Sequence, residues 1–240
     1  MPTMLLLTAG LLAAATPRDT TVTVRGILQI QVDSTGRQTG AILVLPEPAA
    51  LSGRSVNTLV LSGDPARWRR YDSHYVEATG AAGAATPSGV EFRPARVREV
   101  EPEGAVGKTV SLSFSQRALV SLSVLPRRFA WQVQGRPSGA TPVALFRIGN
   151  HGETELDFEF ASNEFVCVSV RVEEESEPHW RYQWRYPRPD SRLSVRVGTV
   201  FWAMVPLPRE ALPGPGRYRV RASLCGVSDY ETETTVEVTG

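Results

Sequence analysis

Three histidines, His74, His151 and His179, are all that this 240-residue chain offers for acid–base chemistry near neutral pH, and each stands in a different local context. Nucleophilic catalysis needs a Ser or Cys within reach of a positioned base. The sequence has no GxSxG elbow, no HExxH pair and no GxxxxGK phosphate loop. His151 falls in Asn-His-Gly-Glu, ordinary hairpin-turn chemistry, and His179 lies between Pro178 and Trp180 at a strand start. Glu173, Glu174, Glu175 and Glu177 form an acidic run, but the alternating Asp/Asn ligands and turn glycine of a calcium loop are missing, so it reads as a solvated loop. Cys167 and Cys225 are the only cysteines, and neither has histidine partners at metal-site spacing. The expectation is therefore no catalytic residue set, no cofactor-binding set and no metal site.

Binding chemistry is better represented. In His179–Tyr186 four aromatics alternate with polar residues, so Trp180, Tyr182, Trp184 and Tyr186 share one face of a strand. They form either the inward face of a core strand or an exposed ladder flanked by arginines, the composition of a binding hot spot. Two proline-stiffened turns are further contact candidates, because rigidity lowers the ordering cost of binding. One is Pro187–Ser191, with Pro187, Arg188, Pro189 and Asp190; the other is Pro208–Gly216, with Pro213 and Gly214. Arg67-Trp68-Arg69-Arg70-Tyr71 has the cation–aromatic mixture of single-strand nucleic-acid binders. A net charge of +1 argues against nucleic acid, and favours Trp68 packed under its domain with the arginines solvated.

The elements that must position these residues are strands. Helical periodicity is almost absent, and period-2 alternation recurs between turn signals. The first half reads as strands at 21–32, 39–47, 56–63, 74–83 and 90–101, with a short helix or turn at 64–72 opened by Asp-Pro. Three strands, a helical link and two more strands is the order of an OB-like barrel, placed at residues 20–103. Glu101–Lys108, rich in Gly, Pro and charge, marks a boundary. The second half, 107–240, reads as strands at 109–116, 118–126, 143–150, 154–162, 165–174, 180–186, 193–207, 216–225 and 233–240. Such punctuation predicts an immunoglobulin-like β-sandwich, so the fold class is all-β. Strand parity places Cys167 opposite the valines at 166, 168 and 170, and Cys225 opposite Tyr218, Val220, Ala222 and Leu224. A disulfide through the core is disfavoured; one on the outer face stays open.

The apolar run Met4–Ala15, closed by three alanines, suits a signal peptide over residues 1–15, although its basic flank is missing. It is too short for a membrane anchor. The expected location is secreted or periplasmic, with no stable membrane insertion after processing. Lys108 is the only lysine, which reads as genome composition rather than specific arginine recognition.

The segment 143–224 resembles the BsuPI family of proteinase inhibitors. The resemblance is carried by Phe-Arg-Ile-Gly-Asn with its acidic turn, by Leu-Asp-Phe-Glu-Phe-Ala-Ser-Asn-Glu-Phe-Val-Cys-Val-Ser-Val, and by Trp180 and Trp184 in the following segment. Phe201-Trp202 on a long strand and Leu-Pro-Gly-Pro-Gly-Arg-Tyr-Arg-Val complete it. The chain departs where the family has a glycine turn before its tryptophan, since Glu-Glu-Glu-Ser-Glu-Pro stands there. The resemblance implies an immunoglobulin-like sandwich, no enzyme activity, and a protein partner of the subtilisin-like serine protease class. A structural or adhesive envelope module that binds a protein or glycan through the aromatic row is the alternative, and an oligonucleotide-binding barrel is a third.

Overall fold

The computed structural model describes residues 21–51, 53–133, 136–137, 141–186 and 191–240. The expected signal peptide and the candidates Pro187, Arg188, Pro189 and Asp190 lie outside the described residues.

The chain is all-β. Strands β1 (Thr21–Val32), β2 (Gln38–Leu51), β3 (Arg54–Leu61), β4 (Tyr75–Thr86) and β5 (Gly89–Glu99) close into a barrel in the order β1-β2-β3-β5-β4, with a 3-10 helix, Pro65–Tyr71, between the third and fourth. This is the OB-like order. The helix starts where the sequence signals it: the Asp64 carboxylate accepts from the Ala66 N–H, and Pro65 costs no hydrogen bond in the first turn. Its Trp68 is buried in the barrel core with Leu28, Leu43, Leu59, Val76 and Phe92, leaving Arg67, Arg69 and Arg70 exposed. The β4–β5 pairing shifts register beside Gly80, where an added Cβ would stand 2.1 Å from the Arg93 carbonyl oxygen; only glycine permits that close approach.

The second half carries β6 (Val106–Ser111), β7 (Arg117–Leu125), β8 (Arg128–Ala130), β9 (Gln132–Val133), β10 (Arg136–Pro137), β11 (Val143–Asn150), β12 (Leu156–Glu159) and β13 (Glu164–Val172). It continues with β14 (Trp180–Arg185), β15 (Arg192–Val195), β16 (Val200–Pro206), β17 (Gly216–Leu224) and β18 (Val227–Thr239). A four-stranded sheet, β16-β11-β7-β6, faces a five-stranded sheet, β14-β13-β17-β18-β8. Alternation sets the inner faces: Val120, Leu122, Phe146 and Ile148 from one sheet meet Val168, Val170, Val220 and Val236 from the other. Small antiparallel pairs, β12-β15 and β9-β10, stand apart from these sheets.

The sequence predicts one long strand over 193–207; the structure makes two. Gly198, at φ 71°, sits in a turn closed by the Thr199 N–H to Arg196 C=O bond, sending β15 to pair with β12 and β16 with β11. Tyr218 donates its hydroxyl to the Gly214 carbonyl and accepts from the Gly214 N–H at the entry to β17, the tyrosine corner of immunoglobulin-like sandwiches.

β11 is buried on both faces, and the reason lies in the barrel. Leu125, Leu145, Val143, Trp202 and Met204, on the outer side of the four-stranded sheet, pack against Ile27 and Tyr75 of β1 and β4. Trp202 donates its indole N–H to the Ser73 carbonyl, which joins barrel and sandwich by a hydrogen bond. Arg147, 7% exposed, makes a two-oxygen bond to Glu101 at 2.9 and 3.1 Å and lies over the Trp202 ring.

Candidate functional site

The five-stranded sheet ends at β14, and β14 pairs only with β13 among the described residues. Its register puts Trp180 opposite Val170, Tyr182 opposite Val168 and Trp184 opposite Val166. The aromatic row therefore shares the inward face of the core valines, as the alternation requires. It is not swallowed by the core, because the row lies at the sheet's margin. Trp180, Trp184 and Tyr186 are half-buried against the core, while Tyr182 is 46% exposed. The rings support one another: Trp180 stacks on Tyr182 at 5.8 Å, Trp184 meets Phe201 of β16 edge-on at 6.0 Å, and Tyr186 stacks on Phe165 at 5.1 Å. This is a packed aromatic margin in which Tyr182 is the most exposed ring.

Arg181, Gln183 and Arg185 occupy the other face of β14. Arg185 bonds Glu164 at 2.9 Å, and Arg181 lies 3.8 Å from Glu177. A groove of about 720 Å³ runs along this side, lined among others by Cys167, Ser169, Arg181, Gln183 and Arg221. Cys167 and Cys225 are joined by a disulfide. Cys167 opposes Ser223, and the Cys225 N–H donates to Phe165, so the bridge runs diagonally between β13 and the end of β17, with a Cα–Cα distance of 5.1 Å. It lies on the outer face, where parity places both cysteines, and not in the core.

The rest of that outer face is a lattice of arginines and glutamates on neighbouring strands. Glu233 meets Arg171, Arg219 and Arg221 at 3.4, 3.1 and 3.4 Å, and Glu173 meets Arg217 at 3.2 Å. Partial burial pushes the Glu233 carboxyl up, but the Arg219 hydrogen bond and the charges of Arg171 and Arg221 outweigh it, leaving the carboxyl below its ordinary value. The sequence signal for this lattice is the alternation of Arg217, Arg219 and Arg221 on one strand and of Glu231, Glu233 and Glu237 on the next, whose register sets Arg217 opposite Glu237 and Arg221 opposite Glu233.

The second proline turn adjoins the aromatic margin. Ala211 and Leu212 are fully buried; the Trp131 indole donates to the Leu212 carbonyl at 2.6 Å and His179 Nε2–H to the Ala211 carbonyl at 3.0 Å. His179 immediately precedes β14, so Pro213, exposed at the tip, and Gly214, held by Tyr218, stand next to the Trp180 end of the row. The structure thus lines up Trp180, Tyr182, Trp184 and Tyr186 in one row, and the His179–Ala211 bond ties the 208–216 turn to the residue just before it.

The histidines do not converge. His74 Nδ1–H donates to Asp72 beside the barrel helix, whereas Asn150, not His151, organises the NHGE turn through bonds to Thr154, Val195 and Gly152. Among the described residues no group of three or more His, Cys, Asp or Glu side chains is placed to hold a metal ion. A second cavity, about 460 Å³, opens between barrel and sandwich beside Arg25, Glu47, Tyr75, Glu77, Glu103 and Leu125. There burial and the charge of Glu103 push Glu47 up, against the pull of Arg25, while burial, reinforced by Glu47, pushes Tyr75 up to about 12. Glu77 is lowered by hydrogen bonds from Arg98 and Arg25. Of these groups, Arg25 and Glu77 are paired with each other, and Tyr75 and Leu125 pack in the seam. Among the described residues no helix is long and apolar enough to cross a membrane.

The fold places the chain among all-β proteins built from a closed barrel and a two-sheet sandwich. In comparison with known proteins it matches no protein-family model and no curated protein.

Proposed function

We propose that this chain is an exported, non-catalytic binding protein whose sandwich captures a partner protein along the open side of its five-stranded sheet. The observation that carries the reading is Tyr182, 46% exposed on an edge strand and backed by half-buried Trp180 and Trp184. An unpaired strand edge offers backbone hydrogen bonds to an extended partner, and rigid aromatics beside it supply contact area at low entropic cost. Export is supported by the apolar run at 4–15 and by a disulfide, which persists in oxidising compartments. Inhibition of a subtilisin-like serine protease is the specific form proposed, supported by the BsuPI-like order of motifs and by the rigid corner at 208–216. A structural or adhesive envelope module is the second reading, favoured by the parallel Trp180–Tyr182 stack, a platform that also suits a glycan ring. Nucleic-acid binding is less favoured: Trp68 is buried, and the Tyr71 hydroxyl is spent on the Val97 carbonyl.

The test is titration of subtilisin, assayed with a fluorogenic peptide, against the purified protein. Near-stoichiometric loss of protease activity, with the protein itself uncleaved, is the expected result for the inhibitor form. Undiminished activity across a micromolar titration removes that form and leaves the envelope module.

A further inference from the structure

The side of β14 that has no strand beside it among the described residues is flanked by two rows of different chemistry, with Trp180, Tyr182 and Trp184 on the inner face and Arg181, Gln183 and Arg185 on the outer. A strand laid beside β14 continues the sheet, and its alternate side chains meet these rows directly. The two arginines are available: their side chains are 71% and 72% exposed, Arg181 is only loosely held by an exposed Glu177, and Arg185 uses Nε and Nη2 on Glu164, leaving Nη1.

A second copy of the chain fits this edge poorly. Antiparallel pairing centred on Gln183 sets Arg181 opposite Arg185 of the other copy, twice by symmetry, and directly opposed like charges destabilise a sheet. Centred on Tyr182, the pairing sets Arg181 opposite Gln183 and Arg185 opposite His179. Neither of these registers, the two that pair most of β14 with itself, brings a carboxylate opposite an arginine.

Building on the proposed binding role of the sandwich, we infer that β14 takes up an extended segment of a partner protein as a sixth strand, and that this segment alternates carboxylate with apolar side chains. The carboxylates face Arg181 and Arg185; the apolar residues cover Tyr182 and its flanking tryptophans. Backbone hydrogen bonds give the affinity and the two rows give the selectivity.

The experiment is fluorescence anisotropy with labelled peptides of about eight residues, one alternating Glu with Val and one alternating Lys with Val. Each is titrated against the wild type and the R181E/R185E variant, whose fold is checked by circular dichroism. The Glu/Val peptide binds the wild type roughly tenfold more tightly than the Lys/Val peptide. The preference reverses in R181E/R185E, narrows with added salt, and vanishes when the peptide backbone is N-methylated at alternate residues. Equal binding of both peptides overturns the charge selection but leaves strand capture standing. No binding of either peptide to folded protein overturns strand capture; if subtilisin is nevertheless inhibited, the inference fails while the binding role survives. Concentration-dependent dimerisation abolished by Tyr182→Ala assigns the edge to a second copy and overturns the inference.

Discussion

Replacing both bridge cysteines, C167S/C225S, perturbs the sandwich at a single defined crosslink. The bridge spans a sequence separation of 58 residues, and β13 and β17 are already paired in register around it. The native strands therefore need not rearrange when it is lost, and the effect falls on the unfolded chain, which regains the freedom of that loop. Loop-closure entropy for this length corresponds to about 4 kcal/mol at room temperature. In a protein of this size such a loss lowers the melting temperature by roughly 8–16 °C. Thermal unfolding followed by circular dichroism measures it, alongside a thiol count on the unreduced wild type in denaturant, where no free thiol is expected. Reduction of the wild type should reproduce the variant's melting temperature, because both remove the same constraint. A drop of less than roughly 3 °C, or two titratable thiols in protein purified from an oxidising compartment, would exclude a stabilising crosslink between these strands.

Three further outcomes follow from the seam and the corner. Burial favours the neutral phenol of Tyr75, so its stabilisation is complete below the ordinary tyrosine value of 10.0 and is lost as pH rises toward about 12; Tyr75→Phe should flatten that alkaline loss, and an ultraviolet titration should show one tyrosine ionising late. Trp202→Ala removes a large ring and the bond to Ser73 from between barrel and sandwich, at a cost of about 3 kcal/mol, and should open the 100–105 link to limited proteolysis. Tyr218→Phe deletes only the hydroxyl that holds Gly214 and should cost about 1 kcal/mol by denaturant unfolding.

Much of the barrel was legible because its strands alternate cleanly between turn signals. The strand at 21–32 is matched residue for residue, and the helical link forms within the segment opened by Asp64-Pro65. The outward placement of Cys167 and Cys225 followed from parity alone, since a period of two leaves no freedom once the inward valines are fixed. Alternation does not report where a strand stops when polar and apolar residues keep alternating through a turn, which is why Arg196–Thr199 reads as continuous strand. The short strands β8, β9 and β10, of three, two and two residues, are too brief to carry any period and were not foreseen. The seam was hidden for another reason. Leu145 and Arg147 on β11 point away from the sandwich core, and a run such as Val-Ala-Leu-Phe-Arg-Ile signals burial on both faces without naming what covers the second. In the aromatic row, alternation decides which residues share a face, but half-exposure depends on β14 ending its sheet among the described residues, which is a matter of topology.

Docking of a partner strand on the side of β14 left without a neighbour among the described residues can be followed amide by amide. The measurement is hydrogen–deuterium exchange across the sandwich, with and without saturating Glu/Val peptide. Peptide should slow exchange at the amides of Trp180–Arg185, while those of β17, paired on both sides, stay unchanged. Protection appearing on the barrel or on β16, with β14 exchanging as before, would contradict it.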